Sequence, residues 1–163
     1  MNIKQLKEPW VMILIGPPMS GKDTWIKSNP ELEGAVMISR DQILLDVWGS
    51  DNYDEAFSNA DQKLVDRKLN QLLVETGKSE KNAIVNMTHM GRKRRKNNLS
   101  FFPNHNKIAV IFPILSDEEY ERRNKKRQKE ENKYIPPKVL KSMISSYQTV
   151  DKKEEGFNKV ISL

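Results

Sequence analysis

Gly16, four residues, then Gly21-Lys22 stand directly after the apolar stretch 10–15 and before 22–28, which has helical composition. A strand that breaks into a glycine turn and resumes as a helix is the setting of a phosphate-binding loop. The spacing has a chemical reason. Glycines let the backbone curl so that successive amide N–H groups converge on phosphate oxygens, and the helix start adds further donors and its dipole. The expected nucleotide contacts are Gly16, Ser20, Gly21, Lys22, Asp23 and Thr24, with Lys22 reaching the β- and γ-phosphates of ATP or another nucleoside triphosphate. The position after the lysine, where the pattern has serine or threonine, holds Asp23, and Thr24 follows. Both are oxygen ligands suited to Mg2+, and the sequence leaves open which of them binds it directly.

The rest of the chain alternates. Residues 35–39 form a second short apolar strand with Arg40 and Asp41 at its carboxyl end, where Asp41 either caps a helix beginning at Gln42, serves a chemical role, or does both. Ala56, Ala60, Leu64, Leu69, Leu72 and Leu73 recur on one helical face and Gly77 supplies a stop, so one long amphipathic helix is expected over 54–76. Residues 83–85 read as a third strand, 93–99 as a basic helix, 108–114 as a fourth strand and 159–162 as a last one. Ser116 with Asp117, Glu118 and Glu119 signals a capped helix start, and Pro136 or Pro137 opens a final helix over 138–147. Strands alternating with helices imply right-handed crossovers and a three-layer α/β/α sandwich on a parallel central sheet, with ligands at the carboxyl ends of the strands.

A length of 163 residues suits one such core, so 1–163 reads as a single domain. Cysteine is absent, which excludes disulfides, thiolate zinc sites and a thiol nucleophile. The apolar run 11–15 is too short for a membrane span or secretory signal, and the chain reads as cytoplasmic, with no membrane partner. A net charge of +6 favours a polyanionic partner. The basic run 92–96 offers Arg92 and Arg95 to an acceptor's phosphodiester backbone. Trp10, Trp25 and Trp48 are candidate base-stacking faces, of which Trp10 and Trp25 are expected against the sheet and Trp48 more open.

Beyond the loop, an ordered set of segments resembles the kinase domain of phage-type polynucleotide 5'-kinases. These are Gly16 to Trp25, Ile38-Ser39-Arg40-Asp41, Asn86-Met87-Thr88-His89-Met90 with Arg94-Arg95, Arg123-Asn124-Lys125-Lys126-Arg127, and Ile135-Pro136 through Val139-Leu140 to Met143. The resemblance implies a P-loop kinase with a helical lid at about 117–137, ATP or another NTP as donor, Mg2+ as cofactor, and a 5'-OH end of DNA or RNA as acceptor. It implies a nucleic-acid repair role, in the host's cytoplasm if the gene is a phage's. Lys22 and Arg127 then act on the transferred phosphate, Asp41 is the general base, Arg123 joins Arg127 on the nucleotide, and Arg40, Thr88 and His89 stand on the acceptor side.

Two positions depart from that pattern. Asn86 stands where the third strand of these kinases usually ends in an aspartate, and Leu44 where an acceptor-binding arginine lies three residues beyond the base. Two other readings therefore stand beside it: a P-loop kinase of a nucleoside, nucleotide or other small hydroxyl compound, and a nucleotide-dependent nucleic-acid binding module without phosphotransfer. No protein partner follows from the residues.

Overall fold

A strand that is apolar on both faces belongs in the middle of a sheet covered by helices on each side. Trp10–Ile15 (β1) meets that condition, with all six residues buried. In the computed structural model, which describes residues 2–163, β1 is the central strand of a five-stranded sheet. The other strands are Val36–Ile38 (β2), Ala83–Asn86 (β3), Asn106–Ile111 (β4) and Lys159–Ser162 (β5). Their order is β2-β3-β1-β4-β5 and every pairing is parallel. Because β3 flanks β1 on one side and β4 on the other, the loop leaving β1 emerges at the switch point where α/β sheets bind ligands.

Alternate residues of β1 build the two halves of the core, as the two-residue period of a strand requires. Val11, Ile13 and Ile15 pack with Leu69 and Leu73 of α4 (Gln62–Gly77), Leu99 of α5 (Arg92–Leu99), and Phe102 and Phe157. Trp10, Met12 and Leu14 face the other way, onto Leu32, Phe112, and Trp25 and Ile26 of α1 (Lys22–Lys27). A smaller cluster of Leu44, Ala56 and Val65 joins α2 (Arg40–Trp48), α3 (Tyr53–Asn59) and α4. The chain then runs through α6 (Asp117–Glu131), α7 (Pro137–Ser145) and the short α8 (Lys152–Glu155), which composition did not suggest.

Three local expectations change, each for a reason in backbone chemistry. The stretch 54–76 is two helices, because the Asp61 carboxylate accepts from Leu64 N at 3.1 Å and starts α4 afresh after extended Ala60. The helix after β2 begins at Arg40 with Ser39 as its cap, its hydroxyl accepting from Gln42 N at 3.3 Å. The Asp41 carboxylate is thereby left free of capping duty. Strand β4 ends at Ile111, paired with Ile15, because Pro113 has no N–H to extend the ladder. The Ser116 cap and the parallel sheet are as expected.

Gly77 closes α4 hard against the chain after α5, where a Cβ would be driven into the Phe101 carbonyl. Backbone on both sides leaves no side chain to rotate away. Gly77→Ala is therefore expected to destabilise the fold by about 3 kcal/mol, at the upper end of overpacking costs. Urea denaturation with an unchanged m-value tests this, and a midpoint equal to wild type would show that the α4–α5 approach is loose.

Candidate active site

The loop between β1 and α1 is anchored before it turns, with Gly16 N donating to Thr88 O at 2.9 Å. Its far end needs a left-handed backbone. Met19 has φ 64° and Gly21, the N-cap of α1, has φ 95°. Lys22 lies back across this loop, its ammonium donating to Gly16 O at 2.9 Å, Pro17 O at 2.7 Å and Ser20 Oγ at 3.3 Å. Burial brings the Lys22 pKa down to about 8; the Asp23 and Asp41 charges oppose that shift, and Arg127 and Lys133 reinforce it. Residues from four separate segments thus act on one ammonium.

Asp23 and Thr24 occupy the first turn of α1 with both side chains exposed. The Asp23 Oδ1 accepts from Asn86 Nδ2 at 2.7 Å, so the residue that replaces an acid at the end of β3 orients one in α1 instead. A carboxylate and a hydroxyl side by side are hard oxygen donors that fit Mg2+ shared with phosphate oxygens and water. No group of three or more His, Asp or Glu side chains forms a metal cage among the described residues. The donor set therefore suits a metal that arrives with a nucleotide.

Helix α6 delivers arginines to the same place. Ser116 caps it, and Glu119 in its first turn binds Arg122 at 2.7 Å and Arg123 Nε at 2.6 Å. These bonds from Arg122 and Arg123 hold the Glu119 carboxyl down at about 2. Arg123 is left with Nη1 to donate to Met19 O at 2.7 Å, which docks α6 on the phosphate loop. One turn on, Arg127 is only 20% exposed and reaches Glu131 at 3.9 Å. Its Nη1 is buried and has no hydrogen-bond partner among the described residues. A buried guanidinium nitrogen without an acceptor is costly, and an anion is its natural complement.

The return of the chain from α6 is clamped by Asn124, which donates to Ile135 O at 2.6 Å and accepts from Ile135 N at 3.0 Å. Asn132 ends the helix in a left-handed conformation, and Lys133 turns inward. Its ammonium lies 3.5 Å from Asp41 Oδ2 and 4.2 Å from the centre of the Tyr53 ring. The Tyr53 hydroxyl donates to Asp41 Oδ1 at 3.0 Å. Burial, then the Asp41 charge, pushes that phenol well above its usual pKa. Asp41 is thus oriented from two directions, by Tyr53 and Lys133.

The five residues expected on the acceptor side separate. Thr88 borders a cleft of about 250 Å³ with Arg94, Met143 and Ser146. Arg40 turns to α4, donating to Asp66 at 2.9 Å and Gln62 at 2.9 Å. Arg92 is held by Thr149 O at 2.9 Å. Two of the five are bound within the interior. His89 is 1% exposed, with Nδ1 2.7 Å from Leu14 O and Nε2 2.8 Å from Asn98 Nδ2. Burial lowers its pKa to about 4, so the ring is neutral and held by bonds within the protein, while the residue also lines the cleft beside Thr88. Arg95 is fully buried, donating to His89 O, Met90 O, Gln148 O and the Glu155 carboxylate, and has no donor left to offer a phosphodiester. Glu119, Tyr53 and Lys133 are candidate site residues that sequence reasoning missed, and Arg94 is the member of the basic run 92–96 that borders the Thr88 cleft. Only Glu119 had a local signal, its i,i+4 spacing to Arg123.

A parallel sheet in the order 2-3-1-4-5, with a phosphate loop at its switch point and an arginine-bearing helix over it, is a P-loop kinase-like architecture. The chain belongs to the AAA domain family, whose model matches residues 11–150. A search of curated proteins returns no match. Among solved structures the fold is similar to a gluconokinase from Sinorhizobium meliloti 1021, at 16% identity over 97% of this chain and 83% of that one, TM-score 0.56. It is similar to Chaetomium thermophilum Kti12 in complex with ADP-AlF3, at 10% identity over 94% and 88%, TM-score 0.62. It is also similar to a chain of the Pnkp1/Rnl/Hen1 complex, at 20% identity over 72% of this chain and 40% of that one, TM-score 0.57.

The lowered Lys22 pKa has a consequence for nucleotide binding. Phosphate oxygens favour the charged ammonium, so binding raises the pKa, and affinity is greatest while the free protein keeps Lys22 protonated. ATP affinity is expected to fall as pH rises through about 8, approaching tenfold per pH unit above it. Calorimetric titration from about pH 7 to about pH 9.5 tests this, with Lys22→Arg flattening the profile because guanidinium does not titrate there. A wild-type profile flat across that range would place Lys22 outside the phosphate site.

Proposed function

We propose that this chain is an ATP-dependent polynucleotide 5'-hydroxyl kinase. The observation that carries the reading is that Asp41 and Arg127, a carboxylate and a guanidinium with one buried unpartnered nitrogen, both act on Lys22 in the phosphate loop. A group able to bind an anion and a group able to accept a proton, both acting on the lysine, suit in-line phosphoryl transfer. The ordered resemblance of the segments around these residues to polynucleotide kinases supplies the acceptor class.

In this mechanism the backbone amides of 16–24 and Lys22 cradle the β- and γ-phosphates of ATP. The acceptor's 5'-oxygen attacks the γ-phosphorus while Asp41 takes its proton, and the bond to the β,γ-bridging oxygen breaks to release ADP. Tyr53 and Lys133 hold the Asp41 carboxylate in orientation as it works. Arg123 and Arg127 descend from α6, the lid of this reading, onto the transferred charge. Asp23 and Thr24 would hold Mg2+, which when bound neutralises the oxygens of the β- and γ-phosphates.

A kinase of a small hydroxyl compound is the second reading. The structure favours it in one respect: Arg40, Arg92 and Arg95 are engaged within the protein and do not form a phosphodiester track. Thr88 and Arg94 at the neighbouring cleft remain for the acceptor.

Incubation with γ-labelled ATP and 5'-hydroxyl DNA and RNA oligonucleotides, beside nucleosides and sugars, separates the two. Label is expected on an oligonucleotide, and label on a small acceptor alone overturns the proposal. Asp41→Asn is expected to lower kcat by about 10²–10⁴-fold, the usual contribution of a positioned base. Arg127→Ala is expected to lower it by about 10²-fold through lost stabilisation of the transferred charge. Near-normal turnover in either variant would remove that residue from the mechanism.

A further inference from the structure

The tryptophans do not provide a stacking surface. Trp10 is 3% exposed, Trp25 is held edge-on by Phe112 at 5.8 Å, and Trp48 is packed into the cluster joining α2, α3 and α4. Open aromatic surface lies instead beside Asp41. Phe57 is 58% exposed, the most open large hydrophobic side chain among the described residues. It lies one helical turn beyond Tyr53 and stacks on it, with ring centres 6.1 Å apart and planes 25° apart. The Tyr53 hydroxyl is the group bonded to Asp41. Tyr134, 39% exposed, comes to the start of α3 from the segment after α6, its backbone N donating to Asp54 Oδ1 at 3.4 Å.

We propose that Phe57, supported by Tyr53 and flanked by Tyr134, is a platform on which the first base of a single-stranded acceptor stacks when its 5'-hydroxyl lies at Asp41. This rests on the polynucleotide kinase reading. A nucleobase is the occupant for two reasons. Tyr53 links the platform directly to the proposed base, so a ligand held there is covalently close to the reacting oxygen through a single sugar. The charge around the rings also selects. Asp54, exposed and three residues before Phe57 on the same helix, disfavours a phosphate there but complements the exocyclic amino donors on the edges of adenine, cytosine and guanine. The acceptor's phosphates then lie toward the cations at the Tyr53 end of the platform, Lys133 over the Tyr53 ring and Arg127 near it.

The experiment uses the full chain, a single-stranded oligonucleotide carrying 2-aminopurine as its first base, and a matched oligonucleotide abasic at that position. Stacking quenches the fluorophore, so binding to wild type is expected to quench it, Phe57→Ala to lose the quench and Phe57→Trp to retain it. In turnover, Phe57→Ala is expected to raise KM about tenfold for the base-bearing end with kcat little changed. That corresponds to loss of one base-aromatic stack of about 1.4 kcal/mol. On the abasic end, wild type and Phe57→Ala are expected to share one KM. Because Phe57 is exposed, the variant should keep the wild-type melting temperature, which separates loss of stacking from loss of fold. An oligonucleotide that binds and is phosphorylated with equal quench and equal KM in wild type and Phe57→Ala overturns the platform while leaving the kinase reading intact. An oligonucleotide that neither binds nor is phosphorylated overturns both.

Discussion

A single buried guanidinium underlies the geometry of the site. Arg95 has no solvent exposure, and its bonds to His89 O, Met90 O, Gln148 O and Glu155 tie together the turn after β3, the exit from α7 and the start of the last crossover. Taking two charges out of water is expensive, and the arrangement holds only because both partners are supplied with further bonds. Removing one partner alone would leave the other buried and uncompensated, at about 3–5 kcal/mol. The turn that Arg95 holds carries Thr88, whose carbonyl anchors Gly16, and His89, whose ring reaches Leu14 O in β1. The phosphate loop is therefore braced from β3 by polar contacts as well as by the sheet.

Around that brace the charges are separated by task. Lys22 is drawn into the loop and partly stripped of water, which makes its protonation sensitive to phosphate. Glu119 fixes Arg123 against Met19 O, whereas Arg127 on the following turn keeps a buried nitrogen unpaired. Helix α6 thus presents one arginine already docked and one awaiting an anion. The Asn124–Ile135 clamp holds the segment after the helix close to it, and Lys133 comes down on Asp41 from that segment. A displacement of α6 would consequently move Arg127 and Lys133 together, linking the phosphate side of the site to the carboxylate side.

The strength of the sequence reading varied with the range of the interaction. The strands, the phosphate loop and the Ser116 cap rest on patterns a few residues long, and all are present, with the fourth strand shifted to Asn106–Ile111. The break between α3 and α4 escaped notice because the apolar face continues across it, while Asp61 restarts the backbone hydrogen bonds. On the acceptor side the reading was weakest. His89 and Arg95 have the composition of a polar, basic surface, yet both lie in the interior, since enough backbone carbonyls and a carboxylate converge there to repay desolvation.

By itself the sequence determined that a phosphate loop follows the first strand and precedes a helix, and that Arg123 and Arg127, four residues apart, lie on one helix. Periods of two and 3.6 residues, glycine torsions and cap chemistry are properties of adjacent residues. Only the tertiary structure decided where the long charged side chains end. Arg40 meets Asp66 across 26 residues and Lys133 meets Asp41 across 92, choices made by which partners the sheet brings within reach and which of them burial strips of water. The same packing left Phe57 open beside Tyr53, buried Trp10 and left Trp25 and Trp48 half-buried. Which of several chemically similar side chains is free to meet a substrate is a property of the assembled fold, because it depends on what the others have already bound.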